Sequence, residues 1–253
     1  NSWSDNCHFH YFVIIIIVFI NIDLLFLTMR NSLIKQGYFG IFIFILLCFF
    51  SMFYYPGGTI IESDTVGYLF FYNFLSNLGE WTAKNGESNF LSAYLFNISM
   101  LVLALSYSIF YYKFLRILIN KSKSTLLKTL LILTISLSLI GFVFVAIFSS
   151  DPSTFALHIL FVKIGFYSLF IHCIIQAIFI YSIKLSSKIL FASTLSFTLI
   201  MFLFVLMMEF GPNPFSDNRS LFIQVTSQKV IVTSILIYYF IQVREALKIG
   251  NSN

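Results

Sequence analysis

Residues 155–181, FALHILFVKIGFYSLFIHCIIQAIFIY, decide the reading of this chain. The stretch exceeds the ~20 mostly apolar residues that a membrane helix needs, yet it carries His158, Lys163, His172 and Gln176. Ionisable groups are costly in hydrocarbon and face a bundle interior or a wet cavity, so within a membrane span they mark function by default.

The rest of the chain agrees with a membrane setting. Hydrophobic residues make up 59% of the 253, charged residues only 10%, and the mean hydropathy is +0.92. A soluble domain carries roughly a quarter charged residues. Phe alone supplies 33 positions, more apolar surface than one globular core can hide. Six runs after Met29 are long and apolar enough to span: Tyr38–Tyr55, Leu91–Tyr112, Leu126–Phe148, Phe155–Tyr181, Ile189–Glu209 and Leu221–Val243. Pro56-Gly57-Gly58, Asp151-Pro152 and Gly211-Pro212-Asn213-Pro214 punctuate them, as Gly and Pro do between helices. The expected fold is all-α, a polytopic membrane protein built as a six-helix transmembrane bundle over residues 29–253, with a long outer loop at 56–90.

Charge sets the expected orientation. Arg30, Lys35, Lys113, Arg116, Lys121, Lys123, Lys128, Lys184, Lys188, Arg244 and Lys248 fall on one side, with Glu245 the only acid there. Glu62, Asp64, Glu80, Glu87, Asp151, Glu209 and Asp217 fall on the other, with only Lys84 and Arg219 basic. Basic residues collect in cytoplasmic loops, so both ends of the six-helix unit are expected in the cytoplasm of a cell-membrane protein. The net charge of +5 then reflects this rule rather than a nucleic-acid partner. Residues 1–28 stand apart. Tyr11–Leu27 is apolar but short and interrupted by Asn21 and Asp23, whereas Met29-Arg30-Asn31 reads as a natural start. Upstream translated sequence is the expectation; an extra apolar helix or uncleaved signal anchor is the alternative.

The polar residues within the spans supply the candidate site. At 100° per residue His158, Gly165, His172 and Gln176 share one helix face, and Lys163 points away from it. The bland reading of that stripe is helix packing through hydrogen bonds, helped by a glycine that admits a close neighbour. Lys163 lies roughly 14 Å from the outer end of its helix and Lys229 roughly 12 Å from that of the last. Buried lysines need anions, a cavity, or room to snorkel, and Glu209 is a candidate partner for either. Asn77, Asn97, Gln224 and Gln228 reach the same outer half. Together they suggest an outward-facing polar pocket for a lipid or small amphiphile. His158, Lys163, Glu209 and Lys229 would be its polar contacts, with Gln228 beside them and Asn77 and Asn97 on the rim.

Two further readings compete. A proton-coupled permease would use His158, Lys163 and His172 as a relay. A membrane hydrolase would need metal ligands or a nucleophile with a base. His158 and His172 are about 21 Å apart along a helix, too far to share one metal. No His-x-x-x-His or Gly-x-Ser-x-Gly pattern occurs. Cys7, Cys48 and Cys173 have no paired spacing, so neither a disulfide framework nor a zinc site is indicated. The expectation is a non-enzymatic protein without metal or cofactor, whose partners are membrane lipids.

The runs Phe74-Leu75-Ser76-Asn77-Leu78-Gly79, Asn89-Phe90-Leu91 and Leu95-Phe96-Asn97-Ile98-Ser99 resemble a bacterial six-helix membrane family of unknown function, DUF998. Phe148-Ser149-Ser150-Asp151-Pro152 followed by His158 resembles the same family's acidic-proline turn before a helix with an early histidine. DRAM-type membrane proteins are similar in layout. The resemblance covers roughly Tyr38 to Lys248 and implies an integral membrane protein without established catalysis, in a lipid-linked or regulatory role. Asn77 stands where the bacterial pattern usually has an acid, which puts in doubt any charge-based role of that position.

Overall fold

The computed structural model describes residues 32–119, 121–185 and 187–251. The expectation for residues 1–28 lies outside them. Among the described residues there are six long helices and no strands. They are α1 Ser32–Tyr54, α2 Phe90–Ile119, α3 Thr125–Ile147, α4 Phe155–Ser182, α5 Lys188–Phe210 and α6 Asn218–Asn251. All six are long and apolar enough to cross a membrane, and the protein is a multi-pass integral membrane protein.

The helices run past the apolar segments, chiefly at the basic end. α2 continues through Lys113 and Arg116 to Ile119, and α6 through Arg244 and Lys248 to Asn251. Hydropathy marks only the part of a helix that sits in hydrocarbon. The i to i−4 hydrogen bonds continue into the headgroup region, where charged side chains are welcome. Serine caps start two helices at this end. Ser124 Oγ accepts from Leu127 N at 3.3 Å and Ser187 Oγ from Leu190 N at 3.1 Å, each satisfying an otherwise orphan amide.

Each helix packs on its neighbours in sequence, and α6 closes the ring against α1 and α2. Small residues make the two tightest seams, as expected where lipid supplies no hydrophobic drive between helices. In the first, Ser51 Oγ meets Ser92 Oγ at 2.9 Å and Gln36 Nε2 donates to Ser106 O at 2.8 Å. In the second, a Cβ on Gly141 would stand 2.7 Å from Gly165 Cα, and Ser138 Oγ donates to Gly165 O at 3.0 Å. Gly165 therefore admits a neighbour, and the neighbour is α3. Outward-facing residues such as Phe42, Phe53, Leu133 and Leu199 are exposed and apolar, while Ser, Thr, His and Gln side chains lie inside.

The connection between α1 and α2 is folded, without regular strands. Two isolated antiparallel bridges, Gly57 with Val66 and Thr82 with Ser88, and one 3-10 turn, Leu75–Gly79, give it shape. Gly58 sits at φ +81°, donates to Thr65 O at 2.8 Å and accepts Asn73 Nδ2 at 2.6 Å. A Cβ there would be strained by that φ and would also meet Asn85 N at 2.3 Å.

The Gly141–Gly165 seam yields a stability test. Gly141→Ala is expected to cost about 1–3 kcal/mol through overpacking against backbone. Gly165→Ala first meets the movable Phe142 ring at 3.2 Å and is expected to cost less. Thermal unfolding of the two variants in detergent checks the order.

Candidate functional site

The loop end of the bundle is closed by the α1–α2 loop, and side chains from four places hold it there. Backbone that is neither helix nor sheet leaves N–H and C=O groups exposed. At membrane depth these must be paired inside the protein or line a wet cavity. Gln228 Oε1 on α6 accepts from Leu75 N at 2.6 Å, and Lys229 Nζ donates to Asn73 O at 2.6 Å. From α2, Ser92 Oγ donates to Leu78 O at 3.2 Å and Asn97 Nδ2 to Gly79 O at 3.3 Å. From the α3–α4 turn, Ser150 Oγ donates to Ser76 O at 3.1 Å, and Asp151 Oδ2 accepts from Trp81 N at 3.1 Å. Within the loop, buried Asn89 donates to Glu80 O at 2.7 Å and to Leu78 O at 3.1 Å.

Beneath this lid, between α2, α3, α4, α5 and α6, lies a cavity of about 830 Å³, within the size range of small-molecule sites. It is long. Gln224 and Gln242 of α6 both line it, which at 1.5 Å per residue is roughly 27 Å along the helix. Its middle is apolar, walled by Leu103, Phe142, Val162, Phe166, Val232 and Leu236. Polar groups occur at both ends, and the two ends differ in kind.

At the end away from the lid, the polar atoms bond one another. Tyr107 OH donates to Gln242 Oε1 at 3.1 Å, Tyr238 OH meets Thr194 Oγ1 at 2.9 Å, and Tyr239 OH meets Ser106 Oγ at 3.0 Å. Gln242 Nε2 continues to Gln176 Oε1 at 3.4 Å, and Gln176 Oε1 lies 3.1 Å from His172 Nε2. Thr134 Oγ1 gives its proton to Leu130 O at 2.7 Å and lies 3.0 Å from His172 Nδ1. The Tyr111 hydroxyl lies 2.8 Å from His172 Nε2. This network joins α2, α3, α4 and α6, and leaves one buried atom, Gln176 Nε2, without a partner.

At the lid end the wall carries Asn77, Glu80, Lys84, His158, Lys163 and Gln228. Glu80 is buried, with 1% of its surface exposed. Its Oε1 accepts from Ser150 Oγ at 2.7 Å, Asn77 Nδ2 at 2.9 Å and Lys84 Nζ at 2.9 Å, while Oε2 has no partner among the described residues. Burial pushes the Glu80 carboxyl above its ordinary range, opposed by the Lys84 charge and by the hydrogen bonds from Ser150, Lys84 and Asn77. His158 is also buried, and Nδ1 lies 2.8 Å from Phe148 O. A carbonyl only accepts, so Nδ1 carries the proton, and Nε2 presents a lone pair that no group among the described residues uses. Lys163 pairs with Glu209 at 2.8 Å, and Tyr167 OH also donates to Glu209.

The sequence-derived residues therefore separate. His158, Lys163, Asn77 and Gln228 line one cavity; Glu209, Asn97 and Lys229 are outside its wall. The two lysines do not compete for Glu209. Lys163 holds it, and Lys229 serves the lid, standing 5.3 Å from the Tyr68 ring centre and 5.0 Å from that of Phe70. The stripe His158, Gly165, His172 and Gln176 is buried along its whole length, with its two histidines in separate hydrogen-bond groups. Sequence reasoning missed Glu80, which it counted as one outer acid among seven. The available signal was its place three residues after Asn77, where one turn brings both side chains together.

Comparison with protein-family profiles, with curated proteins and with solved structures returned no match, so the geometry alone carries the functional reading.

The Glu80 environment has a pH signature. A group whose pKa is raised on folding contributes stability below its unfolded value and loses it as pH rises through the folded value. The melting temperature of the wild type minus that of Glu80→Gln is expected to fall as pH rises from the ordinary carboxylate range towards neutrality. Scanning fluorimetry of both proteins in one detergent checks it; a difference that rises with pH contradicts it.

Proposed function

We propose that this protein binds a single-chain amphiphile inside its bundle, head beneath the lid and tail towards the basic end, and does no chemistry on it. One observation carries the reading: the cavity's two ends are unequally satisfied. Away from the lid, polar atoms of the wall bond one another and offer a tail mainly tyrosine rings and methylenes. Under the lid, His158 Nε2 has no hydrogen-bond partner among the described residues, and the buried Glu80 Oε2 has none either. An apolar middle between two polar ends suits one acyl chain.

The charge distribution supports the lid as the outward face and both ends of the six-helix unit as cytoplasmic. Binding then takes place from the outer side of a cell membrane, and membrane lipids are the natural source of the ligand. The likeness to the DUF998 and DRAM-type layouts is compatible with such a lipid-linked role.

Val162→Trp and Val232→Trp place bulk against the apolar middle of the cavity. Each variant is expected to keep its fold and to lose at least about tenfold of the co-purifying amphiphile, in line with the 1–3 kcal/mol cost of overpacking a filled site. Mass spectrometry of extracted lipids, normalised to protein, makes the measurement. Unchanged lipid content in both variants contradicts the proposal.

A further inference from the structure

We infer that the head of the ligand is uncharged and donates hydrogen bonds, as the hydroxyls of a monoacylglycerol do, and is neither carboxylate, phosphate nor ammonium. This rests on the binding reading above and specifies the chemistry of its lid end.

The charges on the cavity wall are already balanced. Two cations reach the cavity wall, Lys84 and Lys163. Each is already matched by a carboxylate, Lys84 by Glu80 at 2.9 Å and Lys163 by Glu209 at 2.8 Å. An anionic head would add an unpaired negative charge beside buried Glu80, and an ammonium would add a positive charge beside two paired lysines. Both costs rise in a site of low dielectric. A neutral head incurs neither.

Hydrogen-bond polarity points to the same head. His158 and Glu80 are tied to the same turn between α3 and α4: His158 Nδ1 donates to Phe148 O at 2.8 Å, and Glu80 Oε1 takes the Ser150 hydroxyl at 2.7 Å. Those bonds fix which atoms remain. His158, on the cavity wall, is left with an acceptor at Nε2, while Glu80 Oε2, with no partner among the described residues, is itself buried. An acceptor requires a donor, and a hydroxyl head supplies one. A carboxylate or phosphate brings only lone pairs to that corner. Sites built to hydrogen-bond a ligand hydroxyl discriminate strongly, because an unpaired buried group is costly.

The test uses the purified full chain in lipid nanodiscs with tritiated 1-oleoylglycerol as probe. Unlabelled 1-oleoylglycerol, oleate and oleylamine share one chain and differ in head charge. The glyceride is expected to displace the probe at concentrations at least about tenfold lower than either charged competitor, corresponding to one lost buried hydrogen bond. His158→Phe is expected to weaken glyceride binding by a similar factor and to leave oleate displacement unchanged. Because His158 also anchors the α3–α4 turn, the wild-type rank order decides on its own should that variant misfold. Oleate or oleylamine competing as well as the glyceride overturns the head assignment while leaving amphiphile binding intact. A probe that does not bind at all overturns the binding reading itself.

Discussion

The non-helical backbone at the loop end of the bundle is held by hydrogen bonds from the helices beneath it, and the architecture of that end follows from them. The 3-10 turn Leu75–Gly79 and its flanks present amides and carbonyls to Gln228, Lys229, Ser92, Asn97 and Ser150. Those five side chains come from α2, α6 and the α3–α4 turn, so satisfying the loop also ties three parts of the bundle together. The space beneath the lid is the cavity. Lys229 is one such tie. Its side chain is buried and donates to a loop carbonyl, with two aromatic faces nearby.

The same constraint separates two uses of polar residues that look alike in a sequence. Asn97, Gln228 and Lys229 spend their hydrogen bonds on the lid backbone. His172, Gln176, Thr134, Tyr111 and Gln242 spend theirs on one another across four helices. Of the buried atoms left unpaired among the described residues, Glu80 Oε2 belongs to a residue of the cavity wall, as His158 does, and these two residues rather than the total polar content define the candidate site.

Much of the fold was legible because hydrocarbon imposes a simple rule. Runs of apolar residues mark the spans, and Pro56-Gly57-Gly58, Asp151-Pro152 and Gly211-Pro212 mark their ends. The shared face of His158, Gly165, His172 and Gln176 follows from helical spacing, and all four are buried. The site was less legible. Depth along separate helices brought Lys163 and Lys229 together in the reading, but depth says nothing about rotation or about a loop that enters the bundle. Lys229 meets Asn73 O, a backbone atom 156 residues away in sequence, and no side-chain pattern announces a carbonyl. Glu80 was hidden for a similar reason: its burial depends on the folding of an irregular loop, which has no periodicity to read.

The most direct measurement is an experimental density map of the protein in native-lipid nanodiscs, with the cavity between α2 and α6 resolved. The account requires one continuous, unbranched density running from His158 and Glu80 towards Tyr107 and Gln242, with its bulkier end beneath the lid. A cavity filled only by ordered water, or a density whose bulkier end lies at Gln242, would contradict it.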